Sequence, residues 1–227
     1  MLYWDWSLDA DNVPASPIWD AKTGLGGNGS PSKTEPYANG RDTRKCVIDG
    51  PFKDFRPVFQ GTNYEPHCLS RRWNNGTEQV GDMLSPAYTK ETVSKIQNIE
   101  GYDEYRQKLE SRPHGAIHSA IGGDMVPNTS PNDPIFFLHH TQIDRLWALW
   151  QGQDPDKRYT DFSGIKTQNQ FDGTTPPSAS LSDTLLMMGL ADDLTVKDLM
   201  TTQSPLLCYT YEVVYLYIYR IHGQESL

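Results

Sequence analysis

The stretch NDPIFFLHHTQIDRLWALWQ, residues 132–151, decides how this chain is read. Asp133 is a good helix cap, and Pro134 suits the first helical position. Phe136, His140, Ile143, Trp147 and Trp150 then recur at steps of three and four, which predicts a buried helix. Its two adjacent imidazoles, His139 and His140, are costly to bury unless each is hydrogen-bonded or bound to a metal. Just upstream, PHGAIHSAIGGDM reads as a short helix opened by Pro113 and closed by Gly122 and Gly123. On it His114 and His118 stand at i and i+4, on one face.

Further out, Thr89 caps a predicted helix through Val93, Ile96 and Ile99, broken at Gly101. A second helix through Tyr102, Tyr105 and Leu109 is expected to end near Ser111, ahead of Pro113. Residues 1–80 hold most of the Gly, Pro, Asn and Asp and show no sustained helical period. Tyr3, Trp4, Trp6, Trp19, Phe52, Phe55 and Phe59 give that region too much apolar surface for disorder, so it is expected to be ordered loop with its aromatics in the core. Thr195 to Asp198 resembles a capping box ahead of a last short helix. From Leu206 the run LLCYTYEVVYLYIYRI reads as strand, with Cys208 structural within it.

The 227 residues suit one large domain, and nothing resembles a linker between two cores. A net charge of -9, with no basic run longer than Arg71 and Arg72, argues against nucleic-acid and anionic-membrane partners. No window approaches the roughly 20 apolar residues of a membrane span. The first residues, MLYWDWSLDAD, lack the pattern of a secretory signal peptide. Sequons at Asn28, Asn75 and Asn128, and a turn-rich segment flanked by Cys46 and Cys68 as a small disulfide loop would be, point instead to an exported, glycosylated protein.

A helical H-x-x-x-H pair aims two imidazoles at one spot, and a third histidine on a neighbouring buried helix completes a set suited to zinc, copper or iron. Zinc hydrolysis is the weaker reading. The zinc-peptidase motif places a glutamate directly after its first histidine, and here that position is Gly115. No G-x-S-x-G elbow is present, and GLGGNG at Gly24 follows no strand and opens no helix.

HGAIHSAIGGDM followed by SPNDPIFFLHHTQIDRLWALWQ closely resembles the copper-B half of the tyrosinase and catechol oxidase (polyphenol oxidase) family, in its fungal branch. YWDW at Tyr3, CVIDGPF at Cys46, PHCLSR at Cys68 and CYTY at Cys208 extend the likeness to about Tyr211. The resemblance implies a mainly α fold, an incomplete type 3 copper helical bundle wrapped by long loops with a few short strands. It implies a copper-binding domain over residues 1–211 and an atypical tail over 212–227. The implied copper ligands are His114, His118 and His140, with Phe136 packed on the ligand rings and His139 a neighbour that does not bind. Asp144, one turn after His140, reads either as an acceptor for a ligand ring or as a surface charge; the resemblance implies that Glu110 orients a water near copper and that Cys46 pairs with Cys68.

Complete family members hold two coppers on six histidines, bind dioxygen between them, and oxidise phenols or o-diphenols to quinones. Of the six histidines here, only His67 and His222 remain once the copper-B set and His139 are assigned. The copper-A ligands of the family lie upstream of YWDW. The expectation is therefore a fragment that binds at most one copper ion and lacks activity by itself, from a gene product that is secreted when full length. A non-catalytic relative and a three-histidine zinc site are the alternatives. Gly115 stands where many monophenol-hydroxylating (monooxygenase) members have asparagine, which hints at catechol oxidation.

Overall fold

The computed structural model describes residues 1–74, 81–167 and 173–211. The frame is helical: α1 (Lys90–Gln97), α2 (Tyr102–Leu109), α3 (Gly115–Ile121), α4 (Ile135–Gly152) and the single turn α5 (Pro155–Arg158). The strands are short and form three separate antiparallel pairs. β1 (Thr34–Pro36) pairs with β2 (Thr43–Lys45), β3 (Phe59–Gln60) with β4 (Asn63–Tyr64), and β5 (Thr184–Leu185) with β6 (Leu194–Thr195). The mainly α, loop-wrapped architecture expected from the sequence is the one these residues adopt.

Local chemistry explains most of the helix boundaries. The Thr89 hydroxyl accepts the Thr92 N–H and starts α1, and Gly101, extended at ψ 140, separates α1 from α2. The expected stop before Pro113 does not occur. α2 runs through a π turn, Glu110–His114, directly into α3. Pro113 has no N–H to give, and the wider turn accommodates it without ending the helix. α3 stops at Gly122 (φ 65), followed by Gly123 (φ 55). A Cβ at these positions would lie 2.3 Å from the Arg72 carbonyl oxygen and 2.2 Å from that of Ser70, so only glycine lets the 3-10 turn Gly123–Met125 press onto that segment.

α4 is the centre of the molecule. Its start is fixed by Asp133, whose carboxylate accepts the Ile135 N–H at 3.1 Å and also grips Arg71 through two hydrogen bonds of 2.7 and 2.9 Å. Both side chains of that ion pair are fully buried. Arg71 also donates to the carbonyls of Gly26 (2.5 Å) and Gly27 (3.1 Å), so the aromatic loop region and α4 share one anchor. The N-terminal segment lies along α4, with the Trp4 N–H on the Leu138 carbonyl and the Thr141 hydroxyl on that of Leu2. The row of α4 that enters the core is Ile135, His139, Gln142, Leu146 and Trp150. The row Phe136, His140, Ile143 and Trp147 is only half-buried, and the last three line a cleft. Apolar side chains surround most of α4, so periodicity alone does not separate its core face from its cleft face.

Trp4, Trp6 and Trp19 are buried as expected, whereas Phe55 and Phe59 are 44% and 48% exposed. Phe59 meets Tyr64 across the β3–β4 pair instead of entering the core. The Cys46–Cys68 disulfide is formed. The Thr195 capping box precedes a 3-10 helix, Val196–Leu199. The strand expected from Leu206 is absent up to Tyr211, and its remainder, like the tail 212–227, lies outside the described residues. Cys208 is exposed and left-handed (φ 50), so it has no place in a ladder. Tyr209 and Tyr211 tie this segment to α4 through their hydroxyls, which replaces strand pairing by side-chain bonds. Among the described residues no helix is long and apolar enough to cross a membrane.

Candidate metal centre

The π turn, α3 and α4 bring four histidines together. His114, His118, His139 and His140 each offer a ring nitrogen, and these nitrogens all lie within 4.8 Å of one another. Two of the rings have their hydrogen positions set by neighbours. His118 Nδ1 lies 2.6 Å from the Met125 carbonyl oxygen and donates to it, which leaves the Nε2 lone pair facing the cluster. His139 is buried, and its Nδ1 accepts the Trp6 indole N–H at 3.1 Å, so the neutral ring carries its hydrogen on Nε2.

His118 Nε2 and His140 Nε2 are 3.2 Å apart. Two imidazoles bound tetrahedrally to one ion, with bonds of about 2.0–2.1 Å, would hold their nitrogens roughly 3.3 Å apart. The His140 ring is stacked on Phe136, with centroids 3.9 Å apart. His114 closes the set, with its ring 4.8 Å from that of His118 and 5.0 Å from that of His140, and it lies parallel to His139. Its Nδ1 is 3.2 Å from the Glu110 carboxylate but is not aligned for a hydrogen bond. Burial, followed by the neighbouring imidazoles, lowers the pKa of His140 to about 4. Burial also lowers His118, and pushes His139 well below the usual range. The ligating form of histidine is the neutral one, and this environment favours it.

Two clefts meet at the cluster. One, of about 330 Å³, is lined by Tyr105, Leu109, His140, Ile143, Asp144 and Trp147. The other, of about 340 Å³, is lined by His114, Gly115, His118, Ser119 and Asn128. Glu110, largely exposed, stands at the edge of both. Asp144 is one turn from His140, as expected, but its carboxylate accepts the hydroxyls of Tyr209 (2.7 Å) and Tyr211 (2.5 Å) and no imidazole bond is formed. Burial, then the hydrogen bond to Asp144, raises both phenol pKa values. His67 lies away from the cluster, paired with Asp124 at 2.9 Å.

A fold of this kind, with imidazoles from a π turn and two helices converging beside open clefts, presents a histidine cluster that could hold a metal ion on a helical frame. The family model described as the common central domain of tyrosinase matches residues 1–153. A tyrosinase-like protein of Diaporthe leptostromiformis is 41% identical over 221 residues, covering 92% of this chain and 57% of the relative. A tyrosinase of Aspergillus flavus is 36% identical over 209 residues, covering 92% and 56%. The structure of a variant polyphenol oxidase from Thermothelomyces thermophila superposes with a TM-score of 0.72 at 29% identity, over 93% of this chain and 65% of that one. The chain belongs to the tyrosinase family, and it spans a little over half the length of these first relatives.

Trp6 and Met125 were not legible as parts of the site. Trp6 stands 133 residues from the ring it bonds, and nothing in its neighbourhood in sequence announces that partner. Met125 contributes only a carbonyl, which no side-chain pattern reveals.

Proposed function

We propose that His114, His118 and His140 hold one copper ion and that His139 stays outside its coordination, tied to Trp6. The single observation that supports this most is the facing pair of Nε2 atoms on His118 and His140, 3.2 Å apart, with the His118 hydrogen committed to Met125 on the opposite side. The donors fit the metal: three neutral imidazoles suit copper and leave a position open for an exogenous ligand. Copper bound there supplies reversible one-electron chemistry and that open position.

The remaining roles fall to the protein. Phe136 stacks on His140 and restrains its ring. On this reading Glu110, whose carboxylate lies 3.2 Å from His114 Nδ1, holds a water at the cleft edge. Tyr105, Leu109, Ile143 and Trp147 give the first cleft apolar walls for an aromatic substrate. The family reaction taken for the complete site is the oxidation of two o-diphenols to quinones as one dioxygen is reduced to two waters. Among the described residues there is one histidine cluster. We therefore read this chain by itself as a mononuclear binder that does not turn over catechols. Residues 1–211 form its copper-binding domain and 212–227 an atypical tail. Export is part of the same reading, since a disulfide persists in oxidising compartments.

Metal analysis of the purified chain, combined with oxygen uptake on catechol, tests this. About one copper per chain and no uptake is expected. Zinc with hydrolytic activity, or no metal at all, would refute the copper assignment, and sustained oxygen uptake would refute the mononuclear reading.

A further inference from the structure

His118 is oriented from outside the cluster. Its acceptor, the Met125 carbonyl, belongs to the turn Gly123–Met125, and that turn is held by residues contributed from the segment 67–70. Asp124, 1% exposed, sets Oδ1 2.9 Å from His67 Nε2. Its Oδ2 accepts the Ser70 N–H at 2.7 Å and the Ser70 hydroxyl at 3.1 Å, and its own N–H returns to the Ser70 carbonyl at 2.9 Å. On the far side of the ring, His67 Nδ1 lies 2.5 Å from the Glu65 carbonyl oxygen. Both ring nitrogens thus face oxygens, an arrangement that an imidazolium paired with the Asp124 carboxylate satisfies at both ends. The other charge facing His67 is Arg44, which is itself engaged by the Glu65 carboxylate.

The residue after His67 is Cys68, closed to Cys46 by the disulfide. The Val47 N–H on the Leu69 carbonyl, at 2.8 Å, locks the two segments together next to it. Disulfide, ion pair, turn carbonyl and imidazole therefore form one continuous chain of fixed groups.

We propose that the Cys46–Cys68 disulfide, His67 and Asp124 act as one positioning unit for His118. They fix the turn, the turn's carbonyl keeps the hydrogen on Nδ1, and Nε2 is left bare towards the metal. This rests on the reading of the cluster as a metal centre. None of the three touches the cluster, so their effect passes entirely through the direction and tautomer of His118. Groups that hydrogen-bond a metal ligand directly typically change metal affinity by about 10–100-fold when lost, and the unit acts through one such group, the Met125 carbonyl.

Two measurements on the full chain test the unit. Nitrogen NMR of the histidine rings in metal-free protein at neutral pH should show His67 protonated at both nitrogens and His118 protonated at Nδ1 only. A neutral His67, or His118 carrying its hydrogen on Nε2, would overturn the proposal whether or not metal binds. Competition titration with copper(II) should then show about 10–100-fold weaker binding for His67→Gln, for Asp124→Asn and for the double change Cys46→Ser with Cys68→Ser, with far-UV circular dichroism preserved. Folded variants that bind as tightly as the unaltered chain would overturn it. If the unaltered chain takes up no copper, the metal reading of the cluster fails, and the two NMR tautomers alone decide whether the unit exists.

Discussion

His139 and His140 are adjacent in sequence and point about 100° apart around α4, which gives them opposite fates. His139 enters the core, where Trp6 takes its Nδ1, and His140 stays half-buried against Phe136 with its Nε2 in the cluster. Replacing His139 by Ala empties a fully buried site and leaves the Trp6 N–H without its acceptor. The expected cost is about 2–4 kcal/mol of unfolding free energy, read as a lower denaturant midpoint, with copper uptake retained. A folded His139→Ala chain that no longer binds copper would contradict the assignment. The helical period alone left this doublet unresolved, because both positions sit in an apolar pattern, and it was the family resemblance that pointed to His140. It is the partner at Trp6, far away along the chain, that separates them.

At the scale of the element, α4 depends on its first turn. The Arg71–Asp133 pair is fully buried, so removing one member strands the other's charge in the core. Arg71→Met should cost about 3–5 kcal/mol in a chemical denaturation series, a far larger loss than from the exposed Arg56–Glu35 pair. An effect below about 1 kcal/mol would show that α4 is anchored by other contacts. The helices themselves were legible: Thr89 and Asp133 act through their side chains, and Gly101 and the glycine pair after α3 through their backbone freedom, each at the boundary expected of it. The π turn was not, because Pro113 on its own reads as a stop. Nor were the pairings of Arg71 with Asp133, His67 with Asp124 or Asp144 with the two tyrosines, whose members lie 57 to 67 residues apart. Local pattern carries capping and periodicity, whereas long-range partners are set only when the elements pack.

Across the whole molecule, long loops carry much of the stabilising chemistry: the disulfide and the edge-on or tilted tryptophan contacts join loop segments to one another, the His67–Asp124 pair joins them to the turn after α3, and the Arg71–Asp133 pair ties them to the start of α4. Opening the Cys46–Cys68 bridge releases a segment with a sequence separation of 22 residues, for which chain entropy predicts a loss of about 3 kcal/mol. Thermal melts with and without reductant should show it as a lower midpoint, and unchanged melts would mean that the loop is held by packing alone. On the proposed reading three imidazoles, from His114, His118 and His140, hold one copper ion. Pulsed electron paramagnetic resonance on the copper(II)-loaded chain counts coupled imidazoles directly. Three coupled rings are expected on this reading, falling to two on His140→Ala and unchanged on His139→Ala. Four coupled rings, or a spectrum unmoved by loss of His140, would contradict it.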